Sequence, residues 1–94
     1  MVTGMTDEEF AKMVNHGRKS RMVAVMIAIY DHPKDFPECY VARVHFIGNG
    51  RHWPSPELFI ARATLDEVRV AIPAGMRWMN RQPTDDSCIV GTYM

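Results

Sequence analysis

The sequence predicts an α+β fold: a small, mostly antiparallel sheet of three to five strands with one helix packed on a face and an appended N-terminal helix. Three observations support this prediction. Residues 22–30 alternate between two apolar faces, one of them entirely β-branched, which is typical of a central strand. Two segments begin with a threonine followed three residues later by a glutamate, the spacing of a helix start. Clusters of glycine, proline and asparagine separate the strand-like segments.

The first segment predicts a short helix over 7–16. Thr6 and Glu9 have the spacing of a capping box, in which each satisfies a backbone N–H of the other. The helix carries a single apolar stripe, formed by Phe10, Met13 and Val14. Because so short a helix is marginal by itself, we expect residues 1–21, which end in a basic hinge, to be an appendage. Residues 22–94 are then a single α+β domain.

The remaining elements follow from apolar periodicity and turn residues. Strands are expected near 22–30, 39–47, 58–63, 76–80 and 88–93. A turn at 48–50 contains two glycines. Residues 51–57 are expected to be irregular, because they include two prolines. Thr64 and Glu67 form a second capping box, which starts a helix with an apolar stripe for the sheet.

Composition excludes several classes of protein. The 94 residues contain 11 basic and 11 acidic side chains, whereas duplex-binding domains usually have a basic excess. No apolar run reaches the roughly 20 residues of a membrane-spanning helix, and we find no secretion signal. Cys39 and Cys88 form no C-x-x-C pair, which is typical of reduced thiols. We therefore expect a cytoplasmic protein with neither nucleic acid nor membrane as its partner.

The segment between the first two predicted strands contains more charged, aromatic and proline residues than a hairpin requires. Residues 31–38 contain two prolines, three acids and a histidine, whereas a plain hairpin needs only a short turn. Every basic residue after Lys34 is an arginine, whose planar fork suits carboxylate pairing, although a GC-rich genome would also favour arginine. We expect an exposed contact surface, with an acidic partner as one alternative. Its predicted residues are Asp31, His32, Asp35, Arg43, His45, Trp53 and Arg81.

Metal binding and catalysis are alternatives for the same region. Imidazole, thiolate and carboxylate groups all bind zinc, and the weak candidates are His32, Asp35, Cys39 and His45. Their spacing matches no zinc pattern, and acids beside prolines also form turns. No serine lies in a G-x-S-x-G motif, so no catalytic residue or cofactor is assigned. The expected function is a non-enzymatic, self-associating protein-binding module. The alternative is a small-molecule or metal-binding protein, with or without enzymatic activity.

Two resemblances accompany this interpretation. The pattern Tyr-Asp-His-Pro-x-Asp-Phe-Pro-x-x-Tyr-Val-Ala-Arg at 30–43, together with Ala-Thr-Leu-Asp-Glu-Val-Arg at 63–69, resembles a family of small uncharacterised bacterial proteins. That resemblance covers about residues 26–94 and implies no activity, cofactor or catalytic residue. The order of a hairpin, a third strand and a capped helix is also similar to the HicB-type antitoxin domain. This chain lacks the acidic, glycine-rich hairpin usual there, so the second similarity is one of topology.

Overall fold

A computed structural model describes residues 3–20, 23–83 and 87–94. These residues form two helices and six strands: β1 (Thr3–Gly4), α1 (Asp7–Arg18), β2 (Ala24–Asp31), β3 (Tyr40–Gly48), β4 (Arg51–Arg62), α2 (Leu65–Val70), β5 (Trp78–Asn80) and β6 (Ile89–Tyr93). The strands make one antiparallel sheet in the order β1-β4-β3-β2-β6-β5. The predicted α+β fold is confirmed. Five strands have three or more residues, and β1 adds a two-residue bridge at one edge.

Both helices pack on the same face of the sheet, which we call the covered face. Strand β2 alternates as its sequence predicts, and Ile27 lies opposite Val44 of β3 on this face. A single core cluster joins the strands to both helices; its members are Phe10, Val14, Val25, Ile27, Ile29, Ala42, Val44, Ile60, Val68 and Ala71. The residues between them on the strands point to the opposite face, because side chains alternate along a strand.

The N-terminal helix α1 is capped as predicted and contributes to this core. Thr6 Oγ1 accepts a hydrogen bond from the Glu9 N–H at 3.2 Å, and Glu9 Oε1 accepts from the Thr6 N–H at 3.2 Å. Phe10 is fully buried in the cluster. The buried Arg62 guanidinium of β4 also donates to Asp7 at 2.7 Å. The division into residues 1–21 and 22–94 stays a prediction, but α1 has a larger part in the core than an appendage implies.

Two predicted features lie partly outside the described residues. Arg21 and Met22, the end of the predicted hinge and the start of the predicted strand, are not among them. The same holds for 84–86 in the polar loop before β6. Helix α1 continues to Arg18, two residues beyond its predicted end.

The expectation of an irregular segment at 51–57 is wrong, since β4 starts at Arg51. Its register with β3 moves from Arg43 opposite Phe59 to His45 opposite Pro54, so three extra residues bulge out of β4. Strand β1 pairs with β4 only at residues 60 and 61. Along most of β4 the outer edge therefore has no strand partner among the described residues, and a proline there loses no ladder hydrogen bond.

The resulting molecule is a thin slab. Its Cα extents are 35 × 32 × 22 Å, and the shortest matches one sheet plus one layer of helices. Within the described ranges, no helix is long and apolar enough to cross a membrane.

Candidate functional site

The face of the sheet opposite the helices, which we call the open face, contains most of the polar side chains of the central strands. On β3 the residues that point to it are Val41, Arg43, His45 and Ile47; on β2 they include Met26, Ala28 and Tyr30. None of these residues belongs to the core cluster. The face is nevertheless partly sheltered, because the loop at 32–39 folds onto it. The Phe36 ring of that loop lies 5.2 Å from the Phe59 ring of β4.

The loop at 32–39 is shaped by two successive turns. The Phe36 N–H donates to the Pro33 carbonyl at 3.0 Å, and the Cys39 N–H donates to the Phe36 carbonyl at 3.1 Å. The predicted turn-forming role of its prolines and acids is consistent with this backbone. His32, at the start of the loop, has a φ of 49°, a left-handed conformation that is uncommon outside glycine.

A tight hairpin between β3 and β4 brings two histidines together on the open face. Asn49 and Gly50 have φ values of 52° and 72°, the signs that a type I′ turn requires at its two central residues. This turn places Ile47 opposite His52, so His52 becomes the diagonal neighbour of His45. His45 Nδ1 and His52 Nε2 are 3.0 Å apart.

His45 also contacts Tyr30, which lies near the end of β2. Its Nε2 lies 2.9 Å from the hydroxyl oxygen of Tyr30. A neutral imidazole has one N–H donor and one acceptor nitrogen. If the proton is on Nδ1, His45 donates to His52 and accepts from Tyr30; if it is on Nε2, both directions reverse. Either tautomer uses both ring nitrogens, so His45 joins Tyr30 to His52 in one hydrogen-bonded chain.

The environment of His45 keeps its ring uncharged. The residue is only 8% exposed. Burial, followed by the proximity of His52 and of the Arg43 guanidinium, lowers the pKa of His45 from the ordinary 6.5 to about 4. At neutral pH His45 therefore adds no positive charge beside Arg43.

Arg43 is held by three different contacts. Its Nη1 donates to the Ser55 carbonyl at 2.9 Å, and its Nη2 donates to Asp35 Oδ2 at 3.2 Å. Its guanidinium carbon lies 4.9 Å from the centre of the Phe59 ring, a cation–π distance. The Ser55 carbonyl is available because Ser55 opens the bulge in β4, which the Ser55 hydroxyl stabilises by accepting from the Leu58 N–H at 3.2 Å.

A groove of about 220 Å³ lies beside this arginine; we call it the Arg43 groove. Its lining consists of Tyr30, Pro33, Asp35, Val41, Arg43 and Pro54. Four of these residues offer apolar surface, and the other two are the salt-bridged pair. The groove therefore combines an apolar chamber with one fixed positive charge and its carboxylate partner.

The structure brings some of the predicted site residues together and separates others. Asp35 and Arg43 form the salt bridge, and His45 is buried beside them. Asp31 Oδ1 contacts its neighbour His32 Nδ1, and that imidazole lies edge-on to Tyr40 at 5.0 Å. Asp31 and His32 therefore lie where β2 ends and the loop begins, apart from the Asp35–Arg43 salt bridge.

Trp53 and Arg81 lie elsewhere. Trp53 is opposite Phe46 on the covered face, with the two rings 5.9 Å apart, and is 40% exposed. Arg81 follows β5, the outermost strand on the other side of the sheet. Strands β4 and β5 are four positions apart, which is about 19 Å at the usual strand spacing.

The weak metal candidates do not converge in the described part of the chain. No group of three or more histidine, cysteine, aspartate or glutamate side chains there could hold a metal ion. His32 and Cys39 are joined through their backbones, where the His32 N–H donates to the Cys39 carbonyl at 2.9 Å. His45 instead makes its contacts with Tyr30 and His52.

Sequence reasoning missed Tyr30 and His52 as members of this cluster. The signal was present in the Asn49-Gly50 pair, which is the strongest local indication of a two-residue hairpin. Applied strictly, it places His52 across from Ile47 and next to His45. The prolines that follow suggested a loop instead, so this pairing was not predicted.

Comparisons of the chain with protein-family models, with curated proteins and with solved structures gave no match. The two resemblances noted from the sequence therefore stay predictions.

Proposed function

We propose that this protein is a non-enzymatic protein-binding module that associates with a second copy of itself through the open face. The observation that carries the proposal is the placement of both helices on one side of the sheet. The opposite side is left with apolar residues outside the core, among them the half-buried Met26, Ile47 and Phe59. Burial of such a face against a partner is favourable at about 25 cal/mol per Å² of apolar surface.

Shape and charge favour a second copy as the occupant. The accessible surface is 6165 Å², whereas a compact monomer of 10.8 kDa is expected to have about 5,500 Å². A slab with Cα extents of 35 × 32 Å across its face is large enough for the roughly 800 Å² that each partner contributes to a standard interface. The chain has no net charge, so two copies do not repel each other as a whole. A two-fold axis lying in the plane of the contact would bring the two open faces together and make the contact closed and isologous.

We further propose that the protein works in the cytoplasm. Cys39 and Cys88 are not joined in a disulfide. The end of β2 lies between them, since the His32 N–H donates to the Cys39 carbonyl and the Asp31 N–H donates to the Cys88 carbonyl at 2.7 Å. Two strand spacings put their Cα atoms about 9.6 Å apart, beyond the ~7 Å that a disulfide can bridge. Cysteines without a disulfide are typical of reducing compartments.

Sedimentation equilibrium of the full chain tests the self-association. We expect twice the chain mass of 10.8 kDa, and the Met26→Glu variant is expected to be monomeric, because it places a charge in the middle of the contact. Met13→Glu is the matched control, since Met13 is 39% exposed and belongs to α1, which packs on the face away from the proposed contact. A monomeric wild-type chain at concentrations up to about 1 mM, or equal effects of the two variants, would contradict the proposal.

A further inference from the structure

The Arg43 groove has the features of a binding site for a small anion. Its volume of about 220 Å³ is below the roughly 300–1,000 Å³ of sites for drug-sized ligands. A ligand with a short apolar body would contact Val41, Pro33 and Pro54, while its polar end would face Arg43. The apolar walls also reduce competition from water at that end.

Arg43 has hydrogen-bonding capacity left for a ligand. A guanidinium carries five N–H donors, and two of them donate to Ser55 and Asp35. The other three make no hydrogen bond to any described residue. The side chain is 17% exposed, and the contacts with the Ser55 carbonyl and the Phe59 ring fix its position. A ligand would therefore meet an arginine that is already oriented, which limits the entropy lost on binding.

Asp35 shows which chemical group suits this arginine. Its carboxylate makes a single contact with Nη2 at 3.2 Å, and its side chain is 57% exposed on the loop. A two-point pairing between a carboxylate and a guanidinium is stronger than a single contact. An incoming carboxylate can thus improve on the contact that Asp35 makes, and Asp35 can return to water at small cost because it is already largely exposed.

The hydrogen-bonded chain behind the groove also favours a ligand with a single negative charge. Tyr30 lines the groove, and its hydroxyl is positioned by His45, which is positioned in turn by His52. Because the His45 ring is neutral at neutral pH, Arg43 is the cation facing the groove. A doubly charged phosphate would place two negative charges beside one arginine and Asp35, whereas a carboxylate places one.

We propose that the Arg43 groove binds a small carboxylic acid with a short apolar body, whose carboxylate pairs with Arg43 in place of Asp35. The groove is formed within one chain, but it lies on the open face, so self-association through that face would compete with the ligand.

Benzoate is a suitable probe, with benzamide as its uncharged control of the same shape and inorganic phosphate as the control anion. Titration of each compound into the isotopically labelled full chain is followed by NMR. We expect benzoate to shift the signals of Tyr30, Val41 and Arg43 saturably, and benzamide and phosphate to shift them at least tenfold more weakly. Equal binding of benzoate and benzamide would overturn the proposal.

Two variants give opposite expected results. Arg43→Gln is expected to weaken benzoate binding at least tenfold, because the charge-assisted pair is lost. Asp35→Asn is expected to strengthen it severalfold, because the internal competitor is removed. A folding defect cannot raise affinity, so unchanged or weaker binding by Asp35→Asn would overturn the proposal.

The Met26→Glu variant separates this proposal from the previous one. Met26 lies opposite His45 on β3 and outside the groove lining. Because self-association would cover the open face, we expect this variant to bind benzoate at least as tightly as the wild-type chain. Loss of benzoate binding in Met26→Glu, with the fold intact by circular dichroism, would count against a groove formed within one chain.

Discussion

The covered face and the open face are made by alternate residues of the same strands, yet they are buried in different ways. On the covered face, Ile27 and Val44 are buried because two helices pack over them. On the open face, Val41 and Ala28 are about as inaccessible, although no helix covers them. There the shelter comes from small side chains, the folded-back loop and a polar network that contains Arg43. Equal burial in one chain can thus reflect dense packing on one face and a thin cover on the other.

This difference explains where polar groups are tolerated. The core cluster contains only apolar residues, since an unpaired polar group in a dense core is costly. Arg43 and His45 occur on the opposite face, where each has hydrogen-bond partners. Among the described residues no buried side-chain nitrogen or oxygen lacks a partner. Buried polar side chains of the central strands therefore occur on the open face, whereas the covered face, in the residues that the structure describes, has a buried arginine only at the end of β4, where Arg62 pairs with Asp7.

The largest expected effect concerns the covered face. Phe10→Ala should lower the free energy of unfolding by about 3–5 kcal/mol, because it leaves a cavity in the core. Met13→Ala on the same helix is the control, with an expected loss below about 1 kcal/mol, since Met13 is 39% exposed. Urea denaturation of both variants measures the difference. Similar small losses would show that α1 is an appendage after all.

The next largest effect concerns His45 on the open face. Because the pKa of His45 is about 4 in the folded chain and near 6.5 in the unfolded chain, the unfolded state binds the extra proton between these values. The free energy of unfolding should therefore fall as the pH is lowered from 6.5 towards 4, by up to about 3 kcal/mol. Above pH 6.5 this histidine should add no pH dependence.

The matching variant is His45→Gln, which cannot titrate. Urea denaturation at pH 7, 5.5 and 4.5 should show a shallower decline in stability for this variant than for the wild-type chain. His16 and His32, both within the described ranges, make no hydrogen bond or ring contact with His45, so they cancel in the comparison. His52 hydrogen-bonds to His45, so the comparison is repeated with His52→Gln in both proteins. Parallel declines would mean that His45 is protonated in the folded protein and that the open face is wetter than its exposure indicates.

The smallest expected difference compares the faces directly. Val44 and Val41 lie on the same strand, are each 1% exposed and point to opposite faces. Val44→Ala should cost about 2–3 kcal/mol, through lost transfer energy plus a cavity between sheet and helices. Val41→Ala should cost about 1 kcal/mol less, because the space it leaves joins the Arg43 groove and can be filled by water. Equal losses in thermal or urea denaturation would refute the distinction between the faces.

The sequence predicted helices and strands well where their formation depends on residues that are close together in the chain. The capping box at Thr6 is complete, because a cap involves residues only three positions apart. The alternation of β2 placed Ile27 and Ile29 in the core for the same reason. At Thr64 half of the predicted box forms: Thr64 Oγ1 accepts from the Glu67 N–H, whereas Glu67 Oε1 accepts from the Thr64 hydroxyl and not from its N–H. The start of β4 was missed, because a strand containing prolines is stable only where its edge needs no partner, and edge position is not a local property.

The sequence by itself determined the fold class and the faces of the strands, since propensity, capping and alternation act over a few residues. It also predicted Asp35, Arg43 and His45 as members of one contact surface. Only the tertiary structure decided that Asp35 and Arg43 pair, that His52 and Tyr30 join His45, and that Trp53 lies on the opposite face. Those relations depend on strand register and on which side of the sheet the helices cover. Register is set by pairing across the whole sheet, so it follows from the assembled fold and not from any single segment.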